Sequence, residues 1–290
     1  MTISEMHRAF KRELDKTESL QYPAFTSSEI DYFLNRAIIK FIKTRYSGLN
    51  LKGDSFEETQ KRIDDLRTVI REVTVPCSNT AATKPNGYTL TTGFSNAVFS
   101  GAPYWLSLGE EVMINITVSN TNKRQGVTEI TANEYRFYID NPFSEHVLHY
   151  NCAKPLRLFY NNTIEFISDS TYTITNAYIR YIKEPVPVNL TTVAGITSGN
   201  ILPGRRYTVA TSGTVTYNGA SIAVGNTFVG VEGVTTFTPA GGATVNFVAS
   251  DCELASHTHD EIVQIAAQIV LENIEQPRYQ SYSNEVSTME

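Results

Sequence analysis

The first seventy residues repeat their apolar positions at helical spacing. Ile3, Met6, Phe10 and Leu14 recur behind Ser4 and predict a short amphipathic helix, which Tyr22 and Pro23 end. Thr26 and Glu29 then form a capping box, in which hydroxyl and carboxylate each satisfy an orphan amide at a helix start. Behind it Ile30, Phe33, Leu34, Ala37, Ile38, Phe41 and Ile42 make one continuous apolar stripe, with Asp31, Arg36, Lys40 and Lys43 off it, and Gly48 supplies a C-cap. A second box, Ser55 with Glu58, opens a third helix whose Phe56, Thr59, Ile63, Leu66 and Ile70 share a face. Two long helices joined by a short loop predict an antiparallel hairpin.

From about Val73 the period falls to two. Tyr88 and Leu90, then Tyr104, Leu106 and Leu108, alternate with small or polar residues, and Met113 to Val118 continues the pattern. Leu156 to Tyr160 and Thr163 to Ile167 flank Asn161 and Asn162, a hairpin whose turn suits asparagine because asparagine tolerates left-handed backbone. Tyr172 to Lys183 is a long strand that Pro185 and Pro187 stop. The expectation is an antiparallel sheet of four to six strands packed on the helices.

Between Thr191 and Ser250 the composition shifts. This stretch holds ten of the seventeen glycines but only three charged residues, Arg205, Arg206 and Glu232. Short Val/Thr/Tyr/Phe segments from Tyr207 to Phe247 are separated by glycine turns, Asn218-Gly219 among them, which predicts a small all-β module. Helical periodicity then returns. Thr258 and Glu261 form a third capping box, and Ile262, Ile265, Ala266, Ile269, Leu271 and Ile274 cover the buried side of a closing helix. After Pro277 the chain is polar with two tyrosines, an end expected either to be disordered or to order only against a neighbour. The fold class is therefore α+β: residues 1–190 begin a helix-plus-sheet body, 191–250 form an inserted all-β module, and 251–290 return to complete the body and add the tail.

Composition narrows the function more than the fold. A chain of 290 residues with 41% hydrophobic and 19% charged residues can bury a core as one large or two modest domains. Its net charge of −6 gives no cationic footprint for sequence-specific nucleic-acid binding. Sixteen tyrosines and fourteen phenylalanines favour strands and contact surfaces. Cys77, Cys152 and Cys252 are odd in number and widely spaced, as expected of reduced thiols in a cytoplasmic product rather than a disulfide or zinc framework. Charged residues throughout Met1 to Leu20 argue against a signal peptide, and the apolar run Ile262 to Leu271 is far shorter than the roughly 20 residues of a membrane span.

Candidate chemistry is sparse. His257 and His259 with Asp260, Asp251 and Cys252 are the one cluster with metal-ligand types, yet histidines two apart do not share a helical face, and capping by Ser256 or Thr258 accounts for the segment better. His146 and His149 sit in a strand-like stretch. Phosphate loops and a nucleophile elbow are missing, Ser95 after Gly93 having no second glycine in register. The carboxylate pairs Glu57-Glu58 and Asp64-Asp65 fall on a helix face expected to be solvated, and Glu110-Glu111 are also neighbours in sequence. Lys61, Arg62, Arg67 and Arg71 make a basic face on the third helix, interleaved with Asp64, Asp65 and Glu72 as expected for ion pairing. Tyr135, Phe137, Tyr138 and Phe143 around Asn141-Pro142 suit core plus turn. No residue is assigned to catalysis, to a cofactor or to a metal.

One combination of phrases is more specific. The capped SSEIDYFLNRAIIKFIKTRYSG segment, the FEETQKRIDDLR helix, the IDNPF turn at Ile139 to Phe143, the strand ending IRYIKEPVPV and the closing HTHDEIVQIAAQIVLENIEQPRY together resemble the head-to-tail ring, or adaptor, proteins of tailed bacteriophages, nearest to the ring proteins of crAss-like phages. The resemblance covers roughly residues 20–190 and 255–282. It implies a virion structural protein of the neck or tail, assembled in the host cytoplasm into a cyclic homo-oligomer, commonly twelvefold. Its implied partners are the portal protein and neighbouring ring or tail proteins, with phage DNA passing through and no membrane contact. An alternative gives the function to the inserted module as a surface that binds host glycan or a tail fibre, with Tyr207, Tyr217, Phe228 and Phe237 as candidate contact rings. A cell-wall hydrolase is disfavoured because no acid/base constellation is visible.

Overall fold

The computed structural model describes residues 1–17, 25–47, 60–80, 82–91, 93–94, 99, 102–116, 121–141, 154–160, 163–191, 193–196, 201, 205–211, 213–230 and 236–273. The chain divides into two compact units, Met1–Val69 with Pro185–Glu290, and Ile70–Glu184. It is α+β, and its strands pair antiparallel except for one short parallel contact.

The first unit is built on helices α1 (Ile3–Thr17), α2 (Ser27–Ser47) and α3 (Gln60–Leu66). Glu29 accepts from the Thr26 amide at 2.8 Å, as the capping box predicts, and that bond holds its carboxyl below the usual carboxylate range. Of the expected stripe, Ile30, Leu34, Ala37, Ile38, Phe41 and Ile42 are buried. The third helix ends earlier than its periodicity suggested: Ile70 opens a strand, and the box at Ser55 and Glu58 lies outside the described residues. The β-branched run that follows, Val73 and Val75, satisfies a sheet better than another helical turn.

The second unit is a single sheet of eight strands, more than the four to six expected. Its strands are β1 (Ile70–Ser78), β2 (Gly87–Leu90), β3 (Tyr104–Ile116), β4 (Thr121–Gly126), β5 (Thr128–Glu129), β6 (Leu156–Tyr160), β7 (Thr163–Ile167) and β8 (Tyr172–Lys183), in spatial order β4-β3-β8-β1-β2-β7-β6-β5. The hairpin strands β6 and β7 and the long strand β8 fall where the alternation placed them. The Tyr104 and Met113 segments are one strand, with register shifts that keep it paired to β8 along its length. Three further segments, β1, β4 and the short β5, complete the sheet beyond those the alternation named. Val75, Val112, Ile114, Phe166, Ile174 and Ile179 are buried together, and helix α4 (Tyr135–Asp140) lies beside a smaller cluster of Leu156, Leu158 and Ile167 on β6 and β7 with Ile130, which follows β5.

The glycine-rich stretch belongs to the first unit. It forms a four-stranded sheet, β9 (Val193–Ile196), β10 (Arg206–Val209), β13 (Thr227–Val229) and β15 (Val245–Phe247), and a three-stranded sheet, β11 (Thr214–Tyr217), β12 (Ala220–Ala223) and β14 (Thr238–Ala240). Asn218 and Gly219, both at positive φ (49° and 75°), make the predicted two-residue turn between β11 and β12. Tyr207, Val209, Val215, Tyr217 and Val245 are buried in a cluster of the stretch's own. Where the chain enters and leaves, Asn189 and Ser250 exchange backbone hydrogen bonds of 3.1 and 2.9 Å.

Helix α5 (His259–Asn273) closes the first unit, packed on α1 and α2 and buried on most sides from Ile262 to Leu271. The expected capping box does not form. The Thr258 hydroxyl donates to the Ala255 carbonyl at 2.8 Å within a 3-10 turn, Ser256–Thr258, and Glu261 reaches an arginine instead. No helix among the described residues is long and apolar enough to cross a membrane.

Candidate functional site

The buried polar chemistry of the first unit joins elements that are distant in sequence. Arg45, near the end of α2, donates through Nε to Asp65 Oδ2 of α3 at 3.0 Å and through Nη2 to Glu261 Oε1 of α5 at 2.6 Å. Asp65 Oδ1 lies 2.9 Å from His257 Nε2, so one buried carboxylate meets both a guanidinium and an imidazole. Burial pushes the Glu261 carboxyl up, and the charges of Arg45 and Lys61 partly offset that. A second pair, His7 Nε2 and Asp31 Oδ1 at 2.8 Å, ties α1 to α2, while Asp31 Oδ2 accepts from the Leu190 amide at 3.2 Å. The Asn35 side chain accepts from the Val188 amide at 2.7 Å and donates to its carbonyl at 3.0 Å, mimicking a strand neighbour.

Several sequence readings change here. Asp65 is not on a solvated face, and Asp31, read as off the stripe of α2, is buried. Arg67 lies in the turn after α3 and Arg71 on β1, so the expected basic helix face is not one surface. His257 and His259 diverge: His259 Nε2 donates to the Leu254 carbonyl at 3.0 Å, while Asp251 accepts from the Ile3 amide at 2.7 Å. The structure does not gather that cluster, and no group of three or more ligand-type side chains that could hold a metal occurs among the described residues. Burial raises the Cys252 thiol to about 11 and the Cys77 thiol to about 12, which makes both poor nucleophiles at neutral pH. His146, His149, Cys152, Glu57, Glu58, Ser95 and Phe143 lie outside the described residues.

The sheet has its own charged centre. Glu110 on β3 and Arg157 on β6 are second and seventh in strand order, yet Arg157 Nη1 donates to Glu110 Oε2 at 2.6 Å. The sheet must curl strongly for its two ends to meet, and this pair, with both side chains almost fully buried, fastens the curl. Arg157 also reaches Glu129 at 2.7 Å and lies over the Phe159 ring, 4.5 Å from its centre, while its Nε has no partner among the described residues. Glu165 on β7 accepts from the Thr83 and Lys84 amides at 2.7 and 2.9 Å and from the Thr83 hydroxyl, pinning the turn before β2. On the outer face the exposed Arg124 pairs with Glu72 at 3.1 Å and with Glu111, over the Tyr178 ring.

Sequence reasoning passed over Arg45, Arg157, Glu165 and His7. Only Arg45 left a usable signal, since its seven-residue step from Ile38 returns it to the buried face of α2. Each His–Asp pair resembles half of a catalytic triad, but neither has a hydroxyl or thiol on its second ring nitrogen among the described residues. What these groups do chemically is hold elements together. Of the four rings proposed for glycan contact, Tyr207 and Tyr217 are buried and Phe228 and Phe237 pack on the same cluster.

The buried ion pairs thus join elements of an α+β protein. The family described as phage tail ring protein 3/4, of the crAss phages, matches residues 1–203, and the chain belongs to it. The match takes in α1, which the resemblance by phrasing did not cover, and ends before α5. No curated protein matches the chain. Family membership gives the protein a structural role in the phage tail as part of a ring.

Proposed function

We propose that the protein forms a cyclic, twelvefold ring in the connector between portal and tail, where it is a conduit for DNA and a docking surface for adjacent ring or tail proteins. The observation that carries this reading is the family match over residues 1–203, which includes the whole of the curled sheet and three of the helices of the first unit. Net charge supports the conduit: a tube of subunits at −6 each does not hold DNA that must slide through it. The protein acts through geometry and not through catalysis, and it assembles in the host cytoplasm before joining the virion. Electron microscopy of the purified protein and of virions tests the reading. Closed rings with twelve subunits stacked below the portal are expected; a protein that stays monomeric at high concentration and is missing from the tail overturns it.

Residues 191–250 are, in this proposal, a module inserted into a body of 1–190 and 251–290. The bridge between Asn189 and Ser250 brings the two ends of the stretch together, and the module buries a cluster of its own. Replacing 191–250 by a short glycine-serine link should preserve the helical circular dichroism signal; its collapse would place the boundary elsewhere.

A further inference from the structure

Closing a ring takes two different surfaces on each copy, because head-to-tail contacts are heterologous. Five large apolar side chains are exposed among the described residues: Tyr32, Ile39, Phe137, Phe159 and Val224. Phe159 is partly covered by Arg157 and stacks at 6.4 Å on Phe94, and Val224 stands singly in the glycine-rich stretch. The other three fall on two helices: α2, which carries more cations than carboxylates, and α4, which is itself neutral but follows a stretch holding Glu129 and Glu134.

Tyr32 and Ile39 are 60% and 42% exposed and stand two turns apart on α2. With Arg36 and Lys43, both exposed, they complete a stripe at spacings of four, three and four, one narrow face about 16 Å long. Lys40 flanks it, and none of these three cations is in an ion pair with another described residue. The burial of α2 is all on its other side.

Phe137 is 67% exposed, the most exposed large apolar side chain of the five. It sits on α4, whose Tyr135, Tyr138 and Ile139 pack on β6 and β7 and so fix which way it faces. Around it in sequence are Glu129, Glu134 and Asp140 against the single cation Arg136. Glu134 is committed to a capping box with Thr131 and Glu129 to Arg157, so both charges are held in place and not free to swing away.

We infer that the stripe Tyr32, Arg36, Ile39, Lys43 of one copy receives the Phe137 knob of the next copy, with Asp140 and its acidic neighbours against the α2 cations. The occupant is a second copy of this chain because the two surfaces complement each other in charge and in apolar content, and because one lies on each unit. An isologous contact would instead set cation against cation. This inference rests on the ring reading above and names the surfaces that close the ring.

The test combines cross-linking with charge exchange in the full-length protein. Ile39→Cys and Phe137→Cys variants are mixed and treated with a short bis-maleimide, and the linked peptides are identified by mass spectrometry. A 39-to-137 link between copies is expected in the mixture. In parallel, Phe137→Ser and the double variant Arg36→Glu with Lys43→Glu should weaken assembly by on the order of tenfold or more, read by mass photometry, with unchanged melting because every altered side chain is exposed. Adding Asp140→Lys to Arg36→Glu should restore part of the loss. Rings of wild type that form equally well from the variants, with no 39-to-137 link, overturn the interface and leave the ring reading standing. A wild-type protein that never assembles overturns both.

Discussion

The helical region and the curled sheet each bury one arginine, and the surroundings of the two differ in a way that predicts how each region fails. Arg45 sits among partners that have somewhere else to turn: Asp65 keeps His257, and Glu261 is partly in contact with solvent. Arg157 sits where Glu110 has only the Ser107 hydroxyl besides, and where the pair spans the two ends of a sheet that nothing else fastens by charge among the described residues. A buried carboxylate that loses its cation and keeps only a neutral hydroxyl bears more of the cost of desolvation than one that keeps an imidazole partner. The sheet is therefore the more brittle of the two.

The largest effect should come from Arg157→Ala, which strands Glu110 and opens the curl. A loss of about 3–5 kcal/mol of unfolding free energy is expected in urea titrations. Exchanging both partners, Arg157→Met with Glu110→Met, should recover most of that loss, since removing both charges leaves none unpaired. If the double variant is as unstable as the single one, the pair is not what limits the sheet.

Arg45→Ala should cost less, about 2–3 kcal/mol by the same measurement, because Asp65 retains the imidazole. Equal losses at the two arginines would erase the contrast. The role of His257 sharpens it further. Alone, His257→Ala should change stability by less than about 1 kcal/mol, its ring being half-exposed. Combined with Arg45→Ala it should cost more than the sum, with a coupling of about 0.5–2 kcal/mol, since the two groups share one carboxylate.

The smallest effect is in the pH dependence. Glu261 holds its proton to a higher pH in the folded protein than in the unfolded chain, chiefly because it is buried. Its contribution to stability is present when it is protonated and is lost as pH rises through the raised value. Glu261→Gln should flatten the stability curve from about pH 4.5 upward, and Arg45→Ala, which removes a charge that holds the carboxyl down, should steepen it. Glu29 and Glu134 run the other way: hydrogen bonds from Thr26 and Thr131 lower them, so what they contribute is lost as pH falls through their lowered values. Denaturation midpoints measured at several pH values separate the two signs.

How much could be read beforehand followed the range of the interactions. The capping box at Thr26, the strands β6, β7 and β8 and the turn at Asn218-Gly219 all depend on neighbours within a few residues, and all stand where periodicity and turn chemistry placed them. The end of the third helix was misplaced because Ile70 fits a helical face and a strand equally well until a partner strand is known. Strand β4, with the sequence TNKRQG, has no alternation at all and is a strand only because β3 offers it a ladder. The charged residues were misjudged for a related reason: an aspartate on a helix reads as solvated unless its cation is visible.

The sequence alone determined the class of elements, the break in composition at the glycine-rich stretch and the resemblance to phage ring proteins, since period, turn residues and phrase order are local properties of the chain. Tertiary structure decided the rest. Asp65 is buried because His257, 192 positions away, and Arg45 come to it, and the sheet curls because Arg157 finds Glu110 across 47 residues of chain. Such pairings turn a charge from a surface group into a fastener, and only the assembled fold brings their partners together.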